Sequence, residues 1–206
     1  MCGRYVTTAQ VSKTKKLVKS VINVNDLNNY NAHPQQYLPV MKKYINGNTL
    51  ENYKWGLLPK WIKNKTFKPL INARLETINE KKTFKNLIKL NRCIVVADGF
   101  YEWKRYRDSK IPYYFYRKDL KNIYFAAIYE NNEFCIITEK ASENINTIHH
   151  RQPVILNEND INKYLNIETE GSRFLQNCNK PIIDFYQVSK DVNNPKNNNN
   201  SLIQKI

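Results

Sequence analysis

The chain has 206 residues, 33 Lys and Arg against 18 Asp and Glu for a formal charge of +15, and 41% hydrophobic residues that include 14 Tyr, 8 Phe and 3 Trp. This length builds one sizeable core in a single domain over residues 1–206, and the charge points to an anionic partner, nucleic acid ahead of a membrane surface. No run approaches the roughly 20 apolar residues of a membrane span, and the amino end lacks the apolar stretch of a signal peptide, so the expectation is an intracellular protein with no membrane partner.

The four cysteines, Cys2, Cys93, Cys135 and Cys178, have no Cys-x-x-Cys pairing and no histidine at zinc-type spacing. No metal, no cofactor and no disulfide framework are expected, and Cys93 and Cys135 read as buried small hydrophobes within strand-like runs. Lys, Asn, Ile and Tyr are abundant together, a joint bias that inflates the lysine count. Arginine is therefore the sharper guide to phosphate contacts, because its planar fork suits them.

In chain order, Leu17, Val18, Val21 and Ile22 carry helical spacing and predict a surface helix over 8–22. Residues 36–44 and 49–53 flank Asn46-Gly47-Asn48 and predict a hairpin. Phe84, Leu87 and Ile88 predict a second surface helix over 79–90 behind an Asn79 cap. Strands are expected over 92–97, 100–106, 113–118, 123–129, 134–138, 153–156 and 183–188, where β-branched and aromatic residues concentrate, and short helices over 142–148 and 158–165. Many short strands without regular β-α alternation define a mainly antiparallel α+β fold. The Asn-rich stretch 193–200 has the composition of a disordered tail.

Four segments interrupt apolar runs with reactive or polar residues. Met1-Cys2-Gly3-Arg4-Tyr5 places a cysteine where loss of Met1 would expose an α-amine and a thiol on one residue, two nucleophiles with ordinary pKa values near 8. Trp55-Gly-Leu-Leu-Pro-Lys-Trp61 leads into Asn72-Ala-Arg-Leu-Glu-Thr77. Asp98-Gly-Phe-Tyr-Glu-Trp-Lys104 surrounds a carboxylate with aromatic residues that would raise its pKa. Thr138-Glu-Lys-Ala-Ser-Glu-Asn144 precedes His149-His-Arg-Gln-Pro153.

In this order the four segments resemble the SRAP family, the SOS response-associated peptidase fold, from Cys2 through Val188-Ser-Lys-Asp-Val-Asn-Asn194. The resemblance implies a barrel-like sheet core with peripheral helices, and a DNA-damage protein that crosslinks to abasic sites in single-stranded DNA. Cys2 would form a thiazolidine after removal of Met1, with Asn72, Glu102 and His149 as the other catalytic residues and His150 as a bystander. Arg4, Arg74 and Arg151 would grip phosphates, while Asn31 and Thr138 would line the DNA groove. Trp55, Trp61 and Trp103 are candidates for base stacking, with Trp103 nearest the chemistry. Gln152 stands where the family usually has Met, a change that bears on local packing or DNA fit rather than on proton transfer. His33 reads as a loop residue. The resemblance also implies that 183–194 is packed, leaving disorder to 196–200. A monomer is expected. The alternatives are a cysteine peptidase using Cys2 with His149 and Glu102, or a noncatalytic single-strand-binding module.

Overall fold

A computed structural model describes residues 2–24, 26–62 and 66–206. The strands and helices follow one another as β1 (Tyr5–Thr7), α1 (Gln10–Thr14), β2 (Ser20–Ile22), β3 (Asn29–Ala32), β4 (Tyr37–Tyr44), β5 (Gly47–Trp55) and β6 (Asn72–Arg74) in the first part of the chain. They continue as α2 (Leu87–Leu90), β7 (Arg92–Ala97), β8 (Gly99–Tyr106), β9 (Ser109–Arg117), β10 (Ile123–Glu130), β11 (Glu133–Lys140), α3 (Glu143–Asn146), β12 (Arg151–Pro153), β13 (Ile155–Leu156), α4 (Ile161–Leu165), α5 (Gly171–Asn177) and β14 (Ile183–Gln187).

Among the described residues a five-stranded sheet runs β14-β9-β8-β1-β3, and a nine-stranded sheet runs β12-β11-β10-β7-β4-β5-β2 with β13 and β6 attached. Pairing is antiparallel along most of both sheets, as the sequence leads one to expect. The parallel contact of β11 with β5, at Glu133↔Lys54 and Phe134↔Trp55, joins β11, β10, β7, β4 and β5 into a ring. Two turns make this possible. Gly47 takes φ +139 between β4 and β5, and Asn131 and Asn132 take the left-handed conformation between β10 and β11, where short polar side chains tolerate it.

Side-chain alternation distributes the core. In β7, Cys93, Val95 and Ala97 face the space between the two sheets, while Ile94 and Val96 face the helices. Both faces are therefore dry, which explains a strand that is apolar throughout and buried at every position. The outer layer brings Leu87, Ile161, Tyr164, Leu165 and Leu175 from α2, α4 and α5 onto the large sheet. On the far side of the small sheet, Val6, Tyr101 and Tyr114 are covered by Val188, Val192 and Leu202.

Three expectations are corrected. The helix expected over 8–22 stops at Thr14, because Ser20–Ile22 pairs in parallel with β5 at Thr49, Leu50 and Glu51 and takes extended geometry instead. Of the helix expected over 79–90, only Leu87–Leu90 is α-helical; turns precede it, and Asn79 donates to Ser172 Oγ rather than capping. Residues 196–200 pack: Asn197 O accepts from Asn31, Asn198 Oδ1 accepts from the Tyr30 N–H, and Asn199 caps a 3-10 turn over Asn200–Ile203 that buries Leu202. Strands β1, β3 and β6 and helix α5 have no counterpart in the sequence reading.

Candidate functional site

Strand alternation decides which way Glu102 points. On β8, Phe100 belongs to the core between the sheets and Tyr101 to the layer under the carboxy-terminal segment. Glu102 therefore shares the inner side with Phe100, and Trp103 lies with Tyr101 on the other. The inner position is dry: Glu102 is 3% exposed, and burial raises its carboxyl above the usual range.

Cys2 lies fully buried in the same core, just ahead of β1. Its carbonyl accepts a hydrogen bond from Asn72 Nδ2 at 3.0 Å. Asn72 is delivered by β6, which pairs with β11 in parallel so that Asn72 stands beside Ile136 and Arg74 beside Thr138. The Asn72 Oδ1 is buried with no hydrogen-bond partner among the described residues, an acceptor left for a ligand or an amine. Burial pushes the Cys2 thiol well above its ordinary pKa, and the nearby Glu102 carboxylate adds to the push.

His149 follows the short helix α3 and precedes β12. Its Nδ1 accepts from the Arg151 N–H at 3.1 Å, lies 3.0 Å from the Arg151 carbonyl, and is 4.0 Å from Glu102 Oε1. Nδ1 is thus within reach of both a donor and an acceptor on Arg151, and burial holds the histidine below its usual pKa, favouring the neutral ring. His150 stacks on it at 4.5 Å and is exposed. Cys2, Asn72, Glu102 and His149 thus arrive from four separate segments.

Beside them is a cavity of about 470 Å³ lined by Arg4, Glu102, Trp103, Arg105, Lys110, His149 and Asn193. Arg4 donates to Asn31 Oδ1 at 2.7 Å and to Val192 O at 2.9 Å, and its guanidinium sits 6.0 Å from the Trp103 ring. Trp103 Nε1 donates to Asn193 Oδ1 at 2.7 Å.

The other expected DNA-facing residues occupy different positions. Trp55 is fully buried against Tyr5 and Phe134, with Nε1 bonded to Ile71 O, so it presents no ring face to a base. Trp61 is exposed beneath Lys82 but does not line the cavity. Asn31 is buried and donates from Nδ2 to the carbonyls of Val192, Asn194 and Asn197, supporting Arg4 from behind. Thr138 is buried and Arg151 nearly so; the Arg151 guanidinium is held by both Glu76 oxygens at 2.7 and 2.9 Å and by Thr138 O at 2.7 Å. These bonds to both terminal nitrogens hold the guanidinium as a brace within the protein. Arg74 is exposed. Gln152 accepts from the Ser142 N–H and donates to Glu139, a polar bridge where the sequence departs from the family habit.

Sequence reasoning missed Glu76, Arg105, Lys110 and Asn193. Glu76 had a signal in the Asn-Ala-Arg-Leu-Glu-Thr run, whereas Asn193 was hidden in an asparagine-rich stretch and the two cations in a lysine-rich chain. No group of three or more His, Cys, Asp or Glu among the described residues is arranged for a metal ion, and no described helix is long and apolar enough to cross a membrane.

A mixed β scaffold with a buried amino-terminal cysteine beside a glutamate and a histidine defines a distinct class. The chain belongs to the SOS response associated peptidase (SRAP) family, which it matches over residues 1–195. Among its relatives, the abasic site processing protein YoqW of Bacillus subtilis (strain 168) is 37% identical over 190 residues, covering 85% of each chain. The abasic site processing protein YedK of Escherichia coli (strain K12) is 28% identical over the full length of both. The abasic site processing protein HMCES of Gallus gallus is 31% identical, spanning 82% of this chain and 63% of that protein. A crystal structure of a protein from Bacteroides thetaiotaomicron shares the fold with a TM-score of 0.85 at 26% identity over the whole of both chains.

Proposed function

We propose that the protein processes abasic sites in single-stranded DNA, as an intracellular monomer, by bonding covalently to the lesion through Cys2 once Met1 has been removed. The observation that carries this reading is a fully buried Cys2 whose carbonyl is held by Asn72, with the Glu102 carboxylate near enough to act on its thiol and His149 4.0 Å from that carboxylate. The name abasic site processing protein, borne by relatives across bacteria and animals, supports the substrate.

The reaction runs in two bond-forming steps. The Cys2 amine attacks the aldehyde of the ring-opened deoxyribose, and loss of water leaves an imine. The Cys2 sulfur then adds to the imine carbon while the nitrogen gains the thiol proton, closing a five-membered thiazolidine. The amine acts first because a thiol with a raised pKa is a poor nucleophile near neutrality. The same property disfavours the peptidase reading, which needs a thiolate at the outset.

Glu102, with its raised pKa, can protonate the leaving hydroxyl and take the proton back. Neutral His149 relays protons beside it, and the Asn72 Oδ1 accepts from the amine or from a sugar hydroxyl.

The test is incubation with a single-stranded oligonucleotide carrying one uracil, treated with uracil glycosylase, after mass spectrometry has verified loss of Met1. A denaturant-resistant adduct is expected for the native chain. Cys2→Ala keeps the amine and should give an adduct only after borohydride reduction. A stable unreduced adduct with Cys2→Ala, or none with the native chain, overturns the proposal.

A further inference from the structure

Strand β8 runs beyond its partner. β1 begins at Tyr5, which pairs with Phe100, and the last backbone contact on that side is Tyr101 N–H to Arg4 O. From Glu102 to Tyr106 the strand continues past this ladder, so residues on both of its faces reach one cavity. Glu102 lines that cavity from the inner face, and Trp103 and Arg105 line it from the other.

Arg105 stands directly opposite Lys110 in the β8–β9 hairpin, and Lys110 lines the same cavity. Opposed residues in an antiparallel pair bring their Cβ atoms to roughly 5 Å, where like charges repel. Nothing nearby relieves the repulsion: among the described residues neither side chain makes an ion pair or hydrogen bond, and Asp108 at the hairpin tip pairs with neither. Of the other cationic groups near the site, Arg4 is engaged by Asn31 and Val192 and Arg151 by Glu76, while Arg74 is exposed on β6 and does not line this cavity. A repulsive pair at the rim of a cavity, with its charge unspent, is matched by an anion that bridges the two.

The geometry points to a phosphate-binding subsite formed by Arg105 and Lys110, which holds the backbone of the same DNA strand at a nucleotide next to the reacting one. Arg105 is three residues along β8 from Glu102, about 10 Å at strand spacing. That spacing, on the opposite face of β8 but on the same cavity, suits the phosphate beside the reacting sugar rather than the sugar itself. The inference rests on the proposed single-strand substrate and adds a site to it.

The experiment measures binding of an unmodified single strand by fluorescence anisotropy across a salt series, which needs no adduct to form. The Arg105→Gln/Lys110→Gln variant should lower the slope of log affinity against log salt by about 1.4, from about 0.7 per lost phosphate contact. At about 0.1 M salt this amounts to roughly 25-fold weaker binding when affinity extrapolated to 1 M is unchanged. Adduct formation on the abasic strand should slow at low strand concentration and recover at saturation, and Arg105→Lys should restore most of the slope. A Lys118→Gln/Lys121→Gln variant with the same charge change serves as control, and circular dichroism melting verifies folding. An unchanged slope, an equal loss in the control, or an adduct rate that stays low at saturation overturns the subsite. Failure of the native chain to form adduct overturns the proposed reaction but leaves the slope measurement standing.

Discussion

Replacing Arg151 with Gln separates a brace from a phosphate contact. Its guanidinium makes two bonds to Glu76, at 2.7 and 2.9 Å, and one to the buried Thr138 carbonyl at 2.7 Å. Losing a charge-assisted bond to a buried carbonyl costs about 1.5–3 kcal/mol. The Glu76 side chain is 46% exposed, so its ion pair adds no more than about 1 kcal/mol. The sum, about 2–4 kcal/mol, corresponds to a fall in Tm of roughly 5–15 °C for a chain of this size.

The pH dependence carries a definite sign. The hydrogen bond from Arg151 holds the Glu76 carboxyl below its usual range, so the stabilisation is present above the unfolded value near pH 4.3 and is lost as pH falls through the lower folded value. The gap between the melting curves of the native chain and Arg151→Gln should narrow in acid by the ion pair's share, no more than about 1 kcal/mol, while the loss of the Thr138 carbonyl bond persists at every pH. The slope of DNA affinity against salt should stay the same, because the guanidinium is spent inside the protein. A variant of native stability whose salt slope drops by about 0.7 would refute the reasoning and make Arg151 a phosphate ligand.

Glu102→Gln should melt higher than the native chain at neutral pH while forming adduct at least about a hundredfold more slowly, the loss typical of a general acid or base. Burial raises the Glu102 pKa, so the native chain keeps its full stability only below about pH 4.3 and loses some as pH rises through the folded value; identical melting at all pH values would contradict this. Asn193→Ala removes the acceptor for Trp103 Nε1 and should cost about 0.5–1.5 kcal/mol in denaturant melts. It should also make Trp103 more accessible to a fluorescence quencher, with Trp103→Phe as background; unchanged quenching would show that the indole is held by packing alone.

The strands were legible in the sequence because burial writes itself into side-chain order. The fully buried β7 reads as the unbroken run Cys-Ile-Val-Val-Ala, and the β4–β5 hairpin announces itself through Asn46-Gly47. What failed was local helical spacing set against distant pairing. Leu17, Val18, Val21 and Ile22 fit a helix, yet the β5 edge offers Ser20–Ile22 backbone partners that a short exposed helix cannot match. Strands of three residues such as β6 exist only through their neighbours and leave no periodic trace.

The site was legible as residue types in order, and less so as roles. Glu102 could be named from its aromatic neighbours, but only the register of β8 shows that it faces inward while Trp103 turns away. Arg151, Thr138, Asn31 and Trp55 stand in the expected segments and work behind the surface, a distinction that depends on partners such as Glu76 and Val192 far along the chain.

The bond from Arg4 to the Val192 carbonyl spans 188 positions, which separates its two ends in time as well as in sequence. At roughly 5–20 residues per second, a ribosome adds Val192 about 10–40 s after Arg4. Arg4 therefore leaves the ribosome well before the carbonyl that anchors it has been made. On the proposed reaction, that interval leaves Cys2 open to trimming before the segment carrying Val192 closes over Arg4, so access and shelter belong to successive stages in the life of one molecule.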